Sequence, residues 1–433
     1  MRYADLADSA WTWVLRQVRW DDAGPWIPEA AGGEKPERYV GGMHSGIGGL
    51  AHGLAELRLT RAWTADEENL AGAIAGRIRA AVPAESSITY FDGLVSSIGV
   101  LTALGEPGVE PILDRIAGLA TVNGWPQSFL QPPKYLPDAV ANDATLGTAA
   151  VLMGALWAAR HGVEARALIE RAVDLLIAEQ EESANWRFVP RRFCTDEPGE
   201  MPNFSHGLAG IAAVVALAGA ELGRPDLTDA ARRGAEHLIT LGTTDDQGFR
   251  VPRVIPWDER HGDEYTYNWC HGGAGTSLLF RALEYAGVDE VAGGTPAGWH
   301  HRCLDSVRHS GVPDRLYPGF WDNDGRCCGT AGAGDAYLDA WLRDGHDDDL
   351  DFAVRLGNAL VQRAFRDDGT AYWRFLEHRD EQPLLPPGVG WMQGAAGIAA
   401  YLFRLQRVLD GGTASVARMD NWWALSGARP PRS

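Results

Sequence analysis

Three of the five cysteines in this 433-residue chain fall in two short stretches, Asn268-Trp269-Cys270-His271-Gly272 and Arg326-Cys327-Cys328-Gly329. Each stretch runs into a glycine-rich motif and then an apolar pattern with helical spacing. That arrangement predicts soft sulfur ligands at the starts of two helices, where they could converge on one metal ion. A convergent set of this kind is a zinc site. The plain alternative is a buried cysteine pair and one unrelated thiol. The remaining two cysteines, Cys194 and Cys303, stand alone and are expected to be structural thiols. An odd, low cysteine count does not describe a disulfide framework.

The elements that must position these sulfurs recur. A small-residue motif returns at intervals of roughly 50 to 65 residues, a little longer than common two-helix repeats. Its instances are His44-Ser45-Gly46-Ile47-Gly48-Gly49, a weak Ser96-Ser97-Ile98-Gly99, Leu146-Gly147-Thr148-Ala149, Ser205-His206-Gly207-Leu208-Ala209-Gly210, Cys270-His271-Gly272-Gly273-Ala274-Gly275, Cys328-Gly329-Thr330-Ala331-Gly332 and Met392-Gln393-Gly394-Ala395-Ala396-Gly397. Each opens an apolar helical segment, such as Ile211 to Leu222 or Thr276 to Tyr285. Small residues one turn apart are expected to let neighbouring helices approach closely at their starts. Between motifs lie amphipathic segments, Val163 to Glu181, Leu227 to Leu241 and Leu350 to Phe365 among them, and a further helix over about Leu6 to Val18 precedes the first motif.

Alternating buried and amphipathic helices predict an all-α fold, a seven-fold double-layered α/α toroid with inner and outer helices, with an open solenoid as the competing architecture. Closure would bring every glycine-rich start to the same end of the barrel. Strand signals are few; Gly248-Phe249-Arg250-Val251-Pro252 reads as a short hairpin arm. No linker divides the chain, so residues 1–433 are expected to form one domain.

An apolar fraction of 45% and a charged fraction of 22% are those of a globular protein. A formal net charge of −19 argues against a nucleic-acid backbone as partner. No apolar run reaches the roughly 18 residues of a membrane span, and the N-terminus lacks a signal-peptide pattern. A cytoplasmic location is expected.

At the level of these motifs the chain resembles the lanthionine synthetase C-like cyclases, zinc enzymes on a seven-fold α/α toroid. The resemblance runs through the repeats over nearly the whole chain and is most specific in the fourth to seventh motifs. Trp269-Cys270-His271-Gly272 is similar to that family's first cysteine motif. Cys327-Cys328-Gly329 is similar to the second, with Cys328 where histidine is usual. The resemblance implies Cys270, Cys327 and Cys328 as zinc ligands, His206 as an acid/base facing the metal, and Asp143 as its orienting carboxylate. It also implies the reaction. A peptide cysteine thiolate adds to a dehydroalanine or dehydrobutyrine of the same dehydrated precursor peptide, giving a lanthionine or methyllanthionine thioether. No glycine-rich phosphate loop with a following lysine is present. A separate dehydratase, or a kinase and lyase pair, is therefore the expected partner.

Elementary chemistry agrees with the metal half. Three thiolates on Zn²⁺ make an electron-rich centre, poor at activating water and well suited to holding a further thiol deprotonated near neutral pH. Two residues depart from the family pattern: Thr266, where arginine is often found four residues before the first ligand, and His271, where tyrosine is often found. His271 is a candidate catalytic group for the developing enolate or, equally, an outer hydrogen bond to a ligand. His44 is expected to be structural, and hydrogen bonding to backbone or helix capping is the plainer role for His206 and Asp143. A prenyltransferase-type toroid would need a basic cluster for a diphosphate, for which Arg191-Arg192 is the one nearby candidate. A glycoside hydrolase would need paired carboxylates at the mouth. A zinc-bearing, non-catalytic peptide or glutathione scaffold stays open because of Thr266 and His271.

Overall fold

The computed structural model describes all residues except 1, 37, 259–261, 315–322, 377–383 and 426–433. Helix α1 (Tyr3–Gln17) is followed by six pairs: α2 (Leu50–Arg58) and α3 (Ala65–Ala81), α4 (Leu94–Leu104) and α5 (Val109–Leu119), α6 (Thr148–Arg160) and α7 (Arg166–Ala178), α8 (Leu208–Leu222) and α9 (Pro225–Leu241), α10 (Gly273–Tyr285) and α11 (Pro296–His309), α12 (Thr330–Asp344) and α13 (Asp347–Arg363). The seventh motif opens α14 (Ala395–Leu409), and a short α15 (Trp422–Leu425) ends the described chain.

The sequence sorts these helices into two layers by apolar width. Helix α8, LAGIAAVVALAGAEL, buries every residue from Leu208 to Gly219. Helix α9 buries only Leu227, Ala230, Ala231, Gly234, Ala235 and Leu238, one stripe at helical spacing. All-round apolar helices form the inner ring and striped ones the outer ring. Each inner helix packs on the next, and α14 packs on α2, so the ring is closed. The N-terminal helix α1 packs on α14 and serves as its outer partner. The toroid, rather than the open solenoid, is the architecture.

Closure is visible in the backbone. The residue two before each helix-starting glycine lines one end of the barrel, and a hydrogen bond links each repeat to the next. His44 N–H donates to Phe91 O (3.0 Å), Tyr90 to Thr145 O (2.7 Å), Ser205 to Cys270 O (2.9 Å), Cys270 to Cys327 O (3.2 Å), Cys327 to Met392 O (2.9 Å) and Met392 to His44 O (3.0 Å). The one gap is spanned by a side chain, Thr145 Oγ1 lying 3.0 Å from Ser205 O. The residue one step earlier in each repeat, Met43, Tyr90, Ala144, Phe204, Trp269, Arg326 or Trp391, is buried and fills the lumen.

This register corrects the second motif. Ser96-Ser97-Ile98-Gly99 lies inside α4, and the structural equivalent is Phe91-Asp92-Gly93, with Gly93 as the residue before the helix. The glycines also serve another purpose than the one expected. Each loop folds back on its own helix start, so a Cβ on Gly272 would lie 2.3 Å from Thr266 O and one on Gly275 1.7 Å from Trp269 O. The close neighbour is the carbonyl six residues earlier, and helix–helix approach comes second.

Trp125, Trp186 and Trp373 donate their indole N–H to Ile116 O, Leu176 O and Leu360 O near the ends of outer helices, tying each outer helix to the loop that leaves it. Two-residue turns make hairpins β1 (Arg19–Asp21)–β2 (Gly24–Trp26), β3 (Thr243–Asp245)–β4 (Gly248–Arg250) and β5 (Phe365–Asp367)–β6 (Thr370–Tyr372), and β7 (Arg374–Leu376) pairs with β8 (Leu384–Pro387). The expected arm at Gly248 is the second strand of such a hairpin. No helix among the described residues is long and apolar enough to cross a membrane.

The C-terminal segment is buried against the inner helices. Trp423 is fully buried and donates to Leu278 O of α10 at 3.0 Å, and Asn421 donates to Asp339 of α12 at 3.0 Å. Above it lies a buried layer of ion pairs joining Arg326, Arg404 and Arg418 to Asp335, Asp339 and Asp420. Three cations face three anions, which is what burial of charge at this depth demands. Asn421 also accepts from its own segment, at Arg418 N. Asn421→Ala is therefore expected to cost about 2 kcal/mol by leaving buried groups unpaired, read as a lower midpoint in urea unfolding.

Candidate functional site

Cys270 and Cys327 occupy the barrel-end position of the fifth and sixth repeats, and Cys328 is the residue next to the helix-starting glycine of the sixth. Adjacent repeats are hydrogen-bonded there, Cys270 N–H to Cys327 O, which brings the two clusters together. All three sulfurs are buried and lie within 4.8 Å of one another, and Cys270 and Cys328 Sγ are 3.3 Å apart. None of the five cysteines is in a disulfide. Cys303 is fully buried in α11, and Cys194 sits beside Val189 and Pro190 in a satellite apolar cluster, as expected of structural thiols.

The donor set fits zinc. Tetrahedral zinc at about 2.3 Å from each sulfur would hold the sulfurs roughly 3.8 Å apart, within the range found here. The protonation pattern points the same way. Burial pushes the Cys270 thiol well up, while hydrogen bonds from Cys270 and Cys327 hold Cys328 well below the usual thiol range. A divalent cation would let all three sulfurs lose their protons.

Neighbouring side chains hold this cluster. Asn268 Oδ1 accepts from Cys270 Sγ at 3.2 Å and from His271 N–H at 3.0 Å. Gln393, the residue before the seventh glycine, donates to Cys328 Sγ at 3.6 Å and accepts from Asn323 at 3.2 Å. Sequence reasoning missed both residues. The available signal was register: Gln393 holds the same place in its repeat as His206, His271 and Cys328.

Asp143 and His206 meet across two repeats, Asp143 Oδ2 to His206 Nδ1 at 2.8 Å. Asp143 is fully buried, while the His206 side chain is 22% exposed. Thr145, a third residue not picked from sequence, donates to Asp143 Oδ2 at 2.8 Å and lies 3.1 Å from His206 Nδ1. Asp143 also accepts from Leu146 N–H at 3.0 Å, inside the turn that precedes α6; the cap position of α6 is Gly147, so Asp143 is not a helix cap. With Nδ1 engaged, His206 keeps Nε2 for proton exchange.

His271 stands against His206, ring centroids 5.3 Å apart. Burial, with the His206 charge adding to it, lowers the His271 pKa to about 3, so the ring is neutral, and its Nδ1 lacks a hydrogen-bond partner among the described residues. Thr266 is buried, backbone-paired with Gly272, and brings no charge. The guanidinium of Arg253, in the loop after β4, is a cation whose charge bears on His271. His44 lies at the barrel end rather than in the core. Its Nδ1 is 2.8 Å from Ser45 Oγ, and it lines a cleft of about 560 Å³ with Ser45, Gly388, Gly390 and Gln393. Trp269, packed by Tyr90, Phe91 and Phe204, forms an aromatic floor beneath the sulfurs.

The arrangement joins a buried trithiol, a carboxylate-held imidazole and an adjoining cleft. Comparison with solved structures gives nisin cyclase, 14% identical, with a TM-score of 0.60 over 90% of this chain and 92% of that one. The Lin0763 protein of Listeria innocua, 13% identical, matches with a TM-score of 0.50 over 95% of this chain and 99% of that one. At such identities the likeness is one of fold. Comparison with curated protein sequences gives no match. The model of the family "Lanthionine synthetase C-like protein" matches residues 40–408, which hold all seven motifs and every site residue described above. The chain belongs to the lanthionine synthetase C-like family.

Proposed function

We propose that this protein is a zinc-dependent lanthipeptide cyclase, adding a cysteine thiol of a dehydrated precursor peptide across the double bond of a dehydroalanine or dehydrobutyrine in the same peptide. The observation that carries the reading is the trithiol cluster, with sulfurs within 4.8 Å, on the fold of this family beside the Asp143–His206 pair. Cys270, Cys327 and Cys328 would hold the metal. Zinc bound there would supply the Lewis acidity that keeps a substrate thiol deprotonated and nucleophilic near neutral pH.

The reaction loses no atoms. The carbon–sulfur bond forms at the β-carbon, the π electrons move into an enolate, and the proton given up by the thiol is matched by one delivered to the α-carbon. His206 carries that proton at Nε2, and Asp143, fixed by Thr145, holds the ring in the tautomer that allows it. Arg253 supplies the positive charge that Thr266 does not, and neutral His271 offers a ring N–H rather than a charge. The cleft beside His44 and Gln393 receives the peptide. The chain works on peptides dehydrated by a separate dehydratase, or by a kinase and lyase pair.

Metal analysis of the purified protein is expected to give zinc bound to the trithiol. Incubation with a dehydrated precursor peptide should then consume one free peptide thiol per ring without a change in peptide mass. Zinc with no thiol consumption would instead favour a peptide- or glutathione-binding scaffold; no metal at the trithiol would sink the zinc reading.

A further inference from the structure

A second cluster of metal-type ligands lies away from the barrel end, where the outer helix α11 meets the end of α12 and the start of α13. Ligand atoms of His301, His346 and Asp349 lie within 4.8 Å of one another, and so do those of His300, His301 and Asp344. The two sets share His301. Its Nε2 is 3.1 Å from Asp344 Oδ2, and its ring centroid is 4.8 Å from that of His346. Asp344 is itself anchored by Arg281.

Two buried atoms in this cluster lack hydrogen bonds among the described residues. Asp349 is 2% exposed; Arg308 donates to its Oδ1 at 2.6 Å, while Oδ2 has no hydrogen-bond partner and lies 4.0 Å from His346 Nδ1. His300 is 3% exposed, with Nδ1 against Ser277 O at 3.2 Å and Nε2 unpartnered. Buried polar atoms are rarely left so, and an ion is one of the few things that accounts for them. A carboxylate on one nitrogen of His301 fixes its tautomer and leaves the other nitrogen as a lone-pair donor, the support that metal-binding histidines commonly have. The His346 side chain is 59% exposed, which gives an ion a way in.

We propose that His301, Asp349 and His346 form a second site, for one divalent transition-metal ion of the zinc, cobalt or nickel type. Two imidazoles and a carboxylate suit such ions and give no preference for magnesium or calcium, which take oxygen. Asp344 holds His301 through Nε2, and His300 lies alongside as a reserve donor. The site is separate from the trithiol: it sits on outer-layer elements and would tie α11 to the start of α13. Its role is structural, since it lines none of the cleft assigned to the peptide.

Cobalt(II) titration of the full chain tests this, because the two kinds of donor differ in their spectra. The trithiol gives intense sulfur-to-cobalt charge transfer, whereas a nitrogen and oxygen site gives only weak visible bands. Two equivalents are expected to bind, the second adding no charge transfer. His346→Ala, an exposed change that leaves the packing intact, and His301→Ala should each remove the second equivalent and leave the first unaltered. A metal-dependent rise in melting temperature that survives in Cys270→Ala should vanish when His346→Ala is added to it. Saturation at one equivalent at millimolar cobalt, or a second equivalent that persists in both histidine variants, would overturn the proposal. Neither outcome bears on the cyclase reading, which rests on the first equivalent.

Discussion

Cys328→Ala is expected to lose the metal of the trithiol and thioether formation together. Cys328 is the sulfur that its two neighbours drive toward the thiolate, and Gln393 donates to it at 3.6 Å. Spreading the roughly 10–16 kcal/mol of a four-ligand zinc site over its ligands gives of the order of 3 kcal/mol for each, or about 100-fold in affinity. The loss should be larger here, because Cys270 and Cys327 would then have to ionise while buried, with one anionic partner fewer for the cation. Sulfur-to-cobalt charge transfer in the cobalt-loaded protein and thiol counts on a dehydrated peptide are the two readouts. Cys328→His serves as the folding control. Imidazole is a zinc ligand, so metal should stay; the centre carries one negative charge less, and the substrate sulfur becomes less nucleophilic, so cyclisation should slow without ceasing. Full cyclisation by Cys328→Ala would end the three-thiolate assignment.

His206→Ala has a different signature: metal retained, turnover reduced by about 10²–10⁴, the usual contribution of a positioned acid or base. The imidazole reaches Asp143 at 2.8 Å and is not one of the residues grouped with the sulfurs, so its removal leaves the trithiol intact. Asp143→Asn should lower turnover as well while preserving the metal, because an amide can donate to Nδ1 and stabilise the wrong tautomer. The two changes should not be additive, since both act on one proton. Arg253→Met separates charge stabilisation from proton transfer: a fall in turnover in which the pH profile is kept, against a changed profile in His206→Ala. Loss of zinc in His206→Ala would make that residue a ligand and leave the α-carbon without its assigned donor.

The parts of this protein legible in its residues follow from short-range chemistry. Helix α8, apolar on all sides, can only be an inner helix, and α9, with its single stripe, only an outer one. Seven such motifs announced a ring, and cysteines set directly before two of them announced a common end. The weak second motif was misplaced by a few residues because Phe91-Asp92-Gly93 carries a single glycine, with Ser96 where the stronger motifs have a second. The recurrent tryptophans that follow the outer helices were equally readable, Trp125, Trp186 and Trp373 each lying a few residues beyond a helix end. Their purpose, an indole hydrogen bond back to that helix, depends on how tightly the connecting loop turns.

Residue identity alone therefore determined the two helix layers, the repeat and the two cysteine stretches at helix starts, since apolar periodicity and thiol chemistry are properties of the local chain. Only the tertiary structure decided the rest. It made Asp143, Thr145 and His206 one hydrogen-bonded unit and set Asn268 and Gln393 against the sulfurs. It brought Arg253 near His271 and gathered three histidines and two aspartates between α11 and α13. Gln393 and Asn268, which meet at the sulfur cluster, lie 125 positions apart in the chain. What makes them neighbours is the closed backbone ring at the barrel end, which sets repeat beside repeat at hydrogen-bond distance. No pattern within a single repeat carries that information, because the contact belongs to the loop of one repeat and the helix start of another.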